Sequence, residues 1–289
     1  MYNLVQTGHL PKKKRSGYAR EYLKKRLNRI DEILHRKEVA ITTVDVHELR
    51  LEIKKLKSLF TLLRKGNGSF PARRYYKPFK TIFEKAGEIR IIHVEQELLK
   101  QYITDSSDRY LDQLQKLTHE KSERLRKMVN SDAIAKLRSN KKEITPFLNQ
   151  VTEKRVRHFL KTNAGKLHQL LKRGIFKDED LHVIRKKLKS FYFIAKMTYK
   201  TITIPEPWNK LLELLGKWHD DKVAIEHLRK AIYSSRYSQD EVNRLYMVKR
   251  EITENRENLF DQIVGTYFLI ENKEGTVSVP DNFMINQIQ

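Results

Sequence analysis

The segment Val46–Lys57, V-H-E-L-R-L-E-I-K-K-L-K, predicts a helix with two chemically opposite faces. Leu49, Ile53 and Leu56 recur at the three- and four-residue spacing that places side chains on one face of a helix. A second face carries basic side chains without an interleaved acid. We call it the basic ladder, and it consists of His47, Arg50, Lys54 and Lys57. The apolar face predicts core packing, whereas the basic ladder predicts binding of a polyanion.

A related pattern returns in the second half of the chain, where His182, Arg185 and Lys189 repeat the basic spacing that starts at His47. A second pair of segments also matches, with Gly87 aligned on Gly216. It reads Pro78-Phe79-x-x-Ile82-x-Glu84-x-x-Gly87 in the first copy and Pro207-Trp208-x-x-Leu211-x-Glu213-x-x-Gly216 in the second. Two matches in the same order predict a duplicated unit. Their separation is too long for a solenoid, whose period is about 20–50 residues.

The composition indicates an acidic partner and excludes several kinds of chemistry. The 289 residues include 59 Lys+Arg and 36 Asp+Glu, for a net charge of +23, which attracts nucleic acid, acidic membrane surfaces or polyphosphate. The absence of cysteine excludes disulfides, thiolate catalysis and cysteine-based zinc sites. No apolar run approaches the ~20 residues that span a bilayer, and no apolar signal core is present. We therefore expect a cytoplasmic protein without a membrane segment.

Helical periodicity, with only 10 Gly and 7 Pro, predicts an all-α chain of four helices, a break and four more helices. The predicted units are a flexible arm (1–16), a first half (17–143), a second half (144–272) and a tail (273–289). Thr42–Asp45 predicts a helix N-cap, and the next helix is expected to begin at Pro71 or, more clearly, at Pro78. The polar segment Lys141–Pro146 is expected to separate the two halves.

These motifs resemble the CHAD family, the conserved histidine α-helical domain. The match is carried by Val46–Lys57, by L-H-V-I-R-K-K-L-K-S-F-Y at Leu181–Tyr192, and by Gly216–Asp220 with its counterpart Gly87–Arg90. The resemblance covers residues 17–272. It implies two similar four-helix bundles around a basic central pore. It also implies binding of inorganic polyphosphate, without a cofactor and without a catalytic reaction of its own.

The resemblance implies phosphate-binding roles for basic residues in both halves. They are His47, Arg50, Lys54, Lys55, Lys57, His182, Arg185 and Lys189, with Arg90, Lys186 and His219 as lesser candidates. Two positions depart from the family pattern: Tyr192 replaces a basic residue, and Ile91 replaces an acid that the second half keeps as Asp220. We therefore expect an asymmetric pore with the tighter phosphate contact on the His47 side. Binding would also imply a location at polyphosphate granules.

Two other functions remain open. Non-specific nucleic-acid binding is compatible with the charge, but the chain has no zinc-finger spacing, RNP aromatics or compact helix-turn-helix signal. A metal-dependent phosphohydrolase could use His219 and Asp220, although no further histidines or acids form a spaced metal-binding motif. For this pair we favour a structural role. The basic residues Lys24 and Lys25 are interpreted as solvated helix surface.

Overall fold

The computed structural model describes residues 17–35, 41–103, 109–128, 139, 142–172, 177–198 and 204–273. Within these ranges the chain forms helices and no strand, which confirms the predicted all-α fold. The helices are α1 (Gly17–Leu34), α2 (Thr43–Gly66), α3 (Ala72–Leu99), α4 (Arg109–Met128), α5 (142–148), α6 (Glu153–Leu171), α7 (Asp178–Thr198), α8 (Glu206–Ile232) and α9 (Gln239–Lys273). None of these helices combines the length and the apolar character that crossing a membrane requires. The predicted arm at 1–16 and the predicted tail after Lys273 lie outside the described residues.

Helix α2 contains the segment Val46–Lys57 and begins where the sequence predicts. The Asp45 backbone N–H donates to the Thr42 hydroxyl at 3.1 Å, and the Thr42 backbone N–H donates to the Asp45 carboxylate at 3.2 Å. This reciprocal capping box satisfies two N–H groups at the start of the helix. The predicted apolar face is fully buried, since Leu49 and Ile53 each have 0% exposure.

Helix α3 begins at Ala72, with Pro71 as its N-cap, so the later start predicted at Pro78 is wrong. Pro78 lies inside the helix, where its nitrogen cannot donate the usual backbone hydrogen bond. The preceding turn is held by packing, because Tyr75 is buried and the Phe70 ring packs on Phe147, far along the chain, with the centroids 5.0 Å apart. This tertiary contact outweighs the preference of proline for the first helical turn.

The segment expected to be a polar break forms a short helix over most of its length. Residues 142–148 make up α5, in which Ile144 and Leu148 are each 1% exposed. These two residues are four positions apart and therefore lie on the same face of the helix. Their burial explains why a polar stretch containing Pro146 becomes helical. The position of the boundary between the two halves stays a prediction.

Two clusters of buried apolar side chains hold the described helices together, and each combines residues from both halves of the chain. The larger cluster draws on every helix from α1 to α9, and the smaller one joins α3 and α4 to α8 and α9. Helix α2 contacts α7, and α3 contacts α8. Helices that match each other in the sequence repeat are thus packed against each other. This arrangement brings the basic faces of the two halves together.

Candidate anion-binding site

The basic ladder of α2 lies beside the corresponding basic side chains of α7. Both helices space His, Arg and Lys so that they share one face. Since α2 packs against α7, charges on one helix act on the other: Lys189 and Arg185 both lower the pKa of Lys54. Lys54 and Lys189 are equivalent positions of the repeat when His47 is aligned on His182. The two sets of basic residues therefore meet instead of facing separate surfaces.

The charged groups at this meeting point are partly removed from solvent. Burial, together with the charges of Lys189 and Arg50, lowers the pKa of Lys54 to about 7. Burial and the charge of Arg185 lower the pKa of Lys189 to about 8. Burial and the charge of Arg90 lower the pKa of Arg50 to about 10. A nearby anion would favour the charged form of each of these groups.

Helices α3 and α8 each add one charged residue to this environment. Arg90 of α3 acts on the pKa of His47 as well as on that of Arg50. Asp220 of α8 is half-buried; burial raises its pKa, and the charges of Arg185 and Arg90 act in the opposite direction. We call the basic group the cationic cluster, and it consists of Arg50, Lys54, Arg90, Arg185 and Lys189. It combines residues of α2, α3 and α7, with one acid of α8 beside them.

The cationic cluster has no close protein counter-ion within the described part of the chain. There, Lys54, Arg185 and Lys189 lack a carboxylate within the 4.0 Å of an ion pair, and Asp220 lacks a basic partner at that distance. Among the described residues, the buried Nε atom of Arg185 finds no hydrogen-bond partner. A buried donor without an acceptor costs about 1–3 kcal/mol, so the protein itself leaves this guanidinium unsatisfied. The arrangement is therefore suited to an anion with several negatively charged oxygens.

The three histidines predicted for the site lie beside this cluster. The rings of His182 and His219 are adjacent, with centroids 5.1 Å apart. Burial and the charge of Arg185 lower the pKa of His219 to about 3, and burial also lowers the pKa of His182. Burial and the charge of Arg90 lower the pKa of His47, although this side chain is more exposed than the other two. At neutral pH the histidines therefore supply hydrogen-bonding groups without adding charge.

Lys55 lies apart from the cationic cluster, although it directly follows Lys54. Its ammonium nitrogen is 2.6 Å from Glu52 Oε1, and Arg26 Nη1 is 2.9 Å from Glu52 Oε2. The Glu52 side chain is 4% exposed, so its charge requires these partners. The three residues form a buried charged group between α1 and α2. Lys55 was predicted to bind phosphate, and the structure instead places its ammonium group in an ion pair with Glu52.

The predicted residues Lys57 and Lys186 are exposed and lie at the edge of the site. The Lys57 ammonium is 5.4 Å from the centroid of the Tyr76 ring, within the range of a cation–π contact. The charge of Lys186 acts on His182, whose pKa it lowers together with burial. Both lysines extend the positive surface beyond the cationic cluster, where water screens their charge more strongly.

The family model of the CHAD domain matches residues 21–229 of this chain. The chain belongs to the CHAD family. This match confirms the resemblance carried by the two His–Arg helices and by the paired Gly87 and Gly216 segments. Among proteins with curated descriptions, none matches the chain in sequence.

Two solved structures share the fold of this CHAD domain. The crystal structure of the CHAD domain from the plant Ricinus communis has a TM-score of 0.71 and 14% identity, covering 90% of this chain and 97% of that one. PptA from Streptomyces chartreusis has a TM-score of 0.66 and 10% identity, and the match covers 88% of this chain and 99% of the PptA chain. At such low identities the likeness supports the fold alone.

The phosphohydrolase alternative needs a metal-binding group around His219 and Asp220. Among the described residues of this CHAD domain, no group of three or more His, Asp or Glu side chains is placed to hold a metal ion. His219 packs against His182. The next residue after the pair, Asp221, is buried and accepts a hydrogen bond from Asn255 Nδ2 at 2.8 Å. The segment His219–Asp221 thus contacts the site through His219 and contacts α9 through Asp221.

Phe83 and Gly87 of this CHAD domain contact the site, although their positions in the sequence predict no such contact. In the structure, Phe83 contacts Arg50 through both its backbone carbonyl and its ring, and Gly87 lies directly against the same guanidinium. One sequence signal for this contact exists: residues four positions apart share a helix face, so Phe83 and Gly87 are neighbours on α3. Nothing in the sequence indicates that Arg50 reaches them from another helix.

Proposed function

We propose that this CHAD domain binds inorganic polyphosphate through the cationic cluster and its adjacent histidines. The observation that carries the proposal is the convergence of Lys54, Arg185 and Lys189 without a close carboxylate in the described part of the chain. An arginine can form paired hydrogen bonds with phosphate oxygens, and a lysine supplies a compact positive charge. Membership of the CHAD family supports polyphosphate as the specific polyanion.

In this proposal the two halves are pseudo-symmetric and enclose a basic pore, with α2 and α7 supplying most of its charge. A single phosphate chain fits such a pore, whereas a nucleic-acid duplex is too wide to enter it. The domain holds the chain without cleaving it and needs no cofactor. The protein acts in the cytoplasm, at polyphosphate granules. Incubation with polyphosphate should therefore release no orthophosphate, and a steady release would contradict the non-catalytic role.

Parallel titration with long-chain polyphosphate, tRNA and duplex DNA at one moderate salt concentration tests the choice of ligand. We expect the affinity for polyphosphate to exceed the affinities for tRNA and DNA by about tenfold or more, which corresponds to about 1.4 kcal/mol. An affinity for tRNA or DNA that equals the affinity for polyphosphate would overturn the proposal. It would indicate instead a general polyanion binder.

A charge-matched pair of variants tests whether the site or the overall charge binds the ligand. The double variant K54A/K189A removes two charges from the cationic cluster, and K24A/K25A removes two charges from the exposed face of α1. We expect a large loss of polyphosphate affinity in the first variant and a small loss in the second. Equal losses would mean that net charge alone accounts for binding.

A further inference from the structure

The guanidinium of Arg50 is engaged by α3 and is not free to turn fully toward a ligand. Its Nη1 atom donates a hydrogen bond to the backbone carbonyl oxygen of Phe83 at 2.6 Å. Its Cζ atom lies 4.1 Å from the centroid of the Phe83 ring, in a cation–π arrangement. One aromatic residue thus contacts Arg50 in two ways. These contacts connect α2 to α3 at the edge of the cationic cluster.

Gly87 leaves the space that this contact requires. A Cβ atom at residue 87 would overlap Arg50 Nη1 and would lie 3.3 Å from Arg50 Cζ. Any larger residue would therefore push the guanidinium away from the Phe83 carbonyl. Glycine is unfavourable inside a helix, so its presence in α3 is explained by this close approach. Phe83 and Gly87 together form a notch for the Arg50 guanidinium.

The second half lacks this notch, although it keeps the arginine. When Gly87 is aligned on Gly216, Leu212 takes the place of Phe83 and has no ring on which a guanidinium can stack. A Cβ atom at Gly216 would meet no described atom within 4 Å. The guanidinium of Arg185 therefore does not lie against Gly216. Instead, its Nε atom is buried and has no hydrogen-bond partner among the residues that the structure describes.

We infer that the two arginines of the repeat have separate roles: Arg185 binds phosphate, and Arg50 is a positioning residue that holds α2 against α3. This inference rests on the proposed polyphosphate binding. It also reverses the expectation of a tighter phosphate contact on the His47 side, because the arginine of that side already donates to the protein. Within the described part of the chain, the guanidinium of Arg185 donates to no protein atom and lies beside Lys54 and Lys189, so the α7 side makes the stronger arginine contact.

The experiment compares R185M with R50M, since methionine removes the charge but keeps a long side chain. Binding of long-chain polyphosphate is measured over a series of salt concentrations, and thermal unfolding is measured without ligand. We expect R185M to lower the affinity by about tenfold and to reduce the slope of log affinity against log salt by about one, as the loss of one direct phosphate contact requires. R50M should weaken binding less, reduce the slope by less than R185M does, and lower the Tm.

The two equivalent glycines supply a matched control. G87A should lower the Tm as R50M does but leave the salt slope unchanged, because the new Cβ atom displaces Arg50 without removing its charge. G216A should keep the wild-type salt slope and raise the Tm slightly, because its Cβ atom would contact none of the described atoms and alanine is more favourable than glycine inside a helix. In the double variant G87A/R50M the steric conflict is gone, so its Tm should be no lower than that of G87A.

A salt slope that falls as much in R50M as in R185M, or an affinity loss in R50M equal to that in R185M, would overturn the separation of roles. Equal Tm values for G87A and G216A would overturn the positioning role of Arg50. A wild-type protein that fails to bind polyphosphate would instead overturn the proposed function and, with it, the role of Arg185. In that case the unfolding data on R50M and the two glycine variants still decide the role of Arg50.

Discussion

His182 of α7 and His219 of α8 lie with their ring centroids 5.1 Å apart and their planes at 38°. Burial lowers the pKa of both imidazoles, and the charge of Arg185 lowers both further. Adding a proton to either ring would bring a positive charge close to its neighbour and to the cationic cluster. The pair is therefore neutral in the ligand-free protein at neutral pH, and a proton on either ring would oppose the packing of α7 against α8.

Acidification should destabilise the ligand-free protein through this histidine pair. The pKa of a histidine in the unfolded chain is about 6.5. In the folded protein, burial and the charge of Arg185 lower the pKa of His219 to about 3. Between these values the unfolded chain binds more protons, so the free energy of unfolding decreases as the pH falls below about 6.5. Urea unfolding at several pH values should show this decrease, and H219Q should show a shallower one. H119Q, on the exposed surface of α4, is the control and should behave like the wild type.

Polyphosphate affinity should decrease as the pH rises from about 7 to about 9. Burial and nearby positive charges lower the pKa of Lys54 to about 7 and that of Lys189 to about 8. Both lysines therefore lose their protons in this range, and a polyanion binds the protonated forms more tightly. Binding should also be accompanied by proton uptake, measurable by calorimetry in buffers of different ionisation enthalpy. K54M should take up fewer protons than the wild type when it binds polyphosphate. Equal proton uptake by the two proteins would contradict the titration of Lys54 in this pH range.

The same lysines should make the ligand-free protein more stable at alkaline pH. Their pKa values in the folded protein lie below the unfolded value of about 10.4. The unfolded chain binds more protons between these values, so the free energy of unfolding increases as the pH rises above about 7. Stability and affinity are thus expected to change in opposite directions with pH. Lys54 and Lys189 titrate from about pH 7 to about pH 9. If the free energy of unfolding of the ligand-free protein fell over this range, groups other than these two lysines would dominate its pH dependence.

Adjacent lysines on α2 should have different effects when replaced. K54M removes a charge from the cationic cluster and should lower polyphosphate affinity by about fivefold, or about 1 kcal/mol, while leaving the ligand-free protein at least as stable. K55M removes one of the two cations beside buried Glu52, so it should cost about 1–3 kcal/mol of stability and leave the affinity almost unchanged. Titration and urea unfolding of both variants test this difference. Equal affinity losses would show that Lys55 also reaches the ligand.

Removal of the acid beside the cationic cluster should tighten binding. The negative charge of Asp220 acts on Lys54, Arg185 and Lys189, and it would repel a phosphate chain held by them. D220N should therefore raise polyphosphate affinity by about fivefold, the effect of about 1 kcal/mol. D261N, on the exposed surface of α9, makes the same change in net charge at a distance and should have little effect. Weaker binding by D220N would mean that Asp220 orients the basic side chains.

The sequence predicted the helices well because each one buries a regular apolar face. The apolar stripe of α2 and its Thr42–Asp45 cap were both read correctly from spacing and residue type. The errors arose where tertiary contacts overrule local preference: the packing of Phe70 on Phe147 favours a start of α3 ahead of Pro78, and core burial makes α5 helical. Such contacts join residues whose proximity the local sequence does not encode.

For the site, the spacing of the basic ladder and its repetition identified the residues that α2 and α7 bring together. The sequence could not distinguish Lys54 from Lys55, because both are basic and differ only by about 100° around the helix. That choice depends on Glu52 and Arg26, which bind Lys55 only after α1 has packed against α2. The convergence of Arg90 and Asp220 on the same place likewise requires the packing of α3 against α8.

Periodicity and residue type are local properties that a chain displays before it folds, so the amino-acid sequence was enough to predict an all-α protein of the CHAD family with a duplicated basic helix. Which of the duplicated basic residues are held by the protein depends on the folded arrangement of the helices. Arg50 meets Phe83 and Gly87, whereas Arg185 keeps a buried donor that no described residue satisfies. The physical reason is that a side chain's partners are set by the helices packed around it, so equivalent residues of a repeat can meet different neighbours.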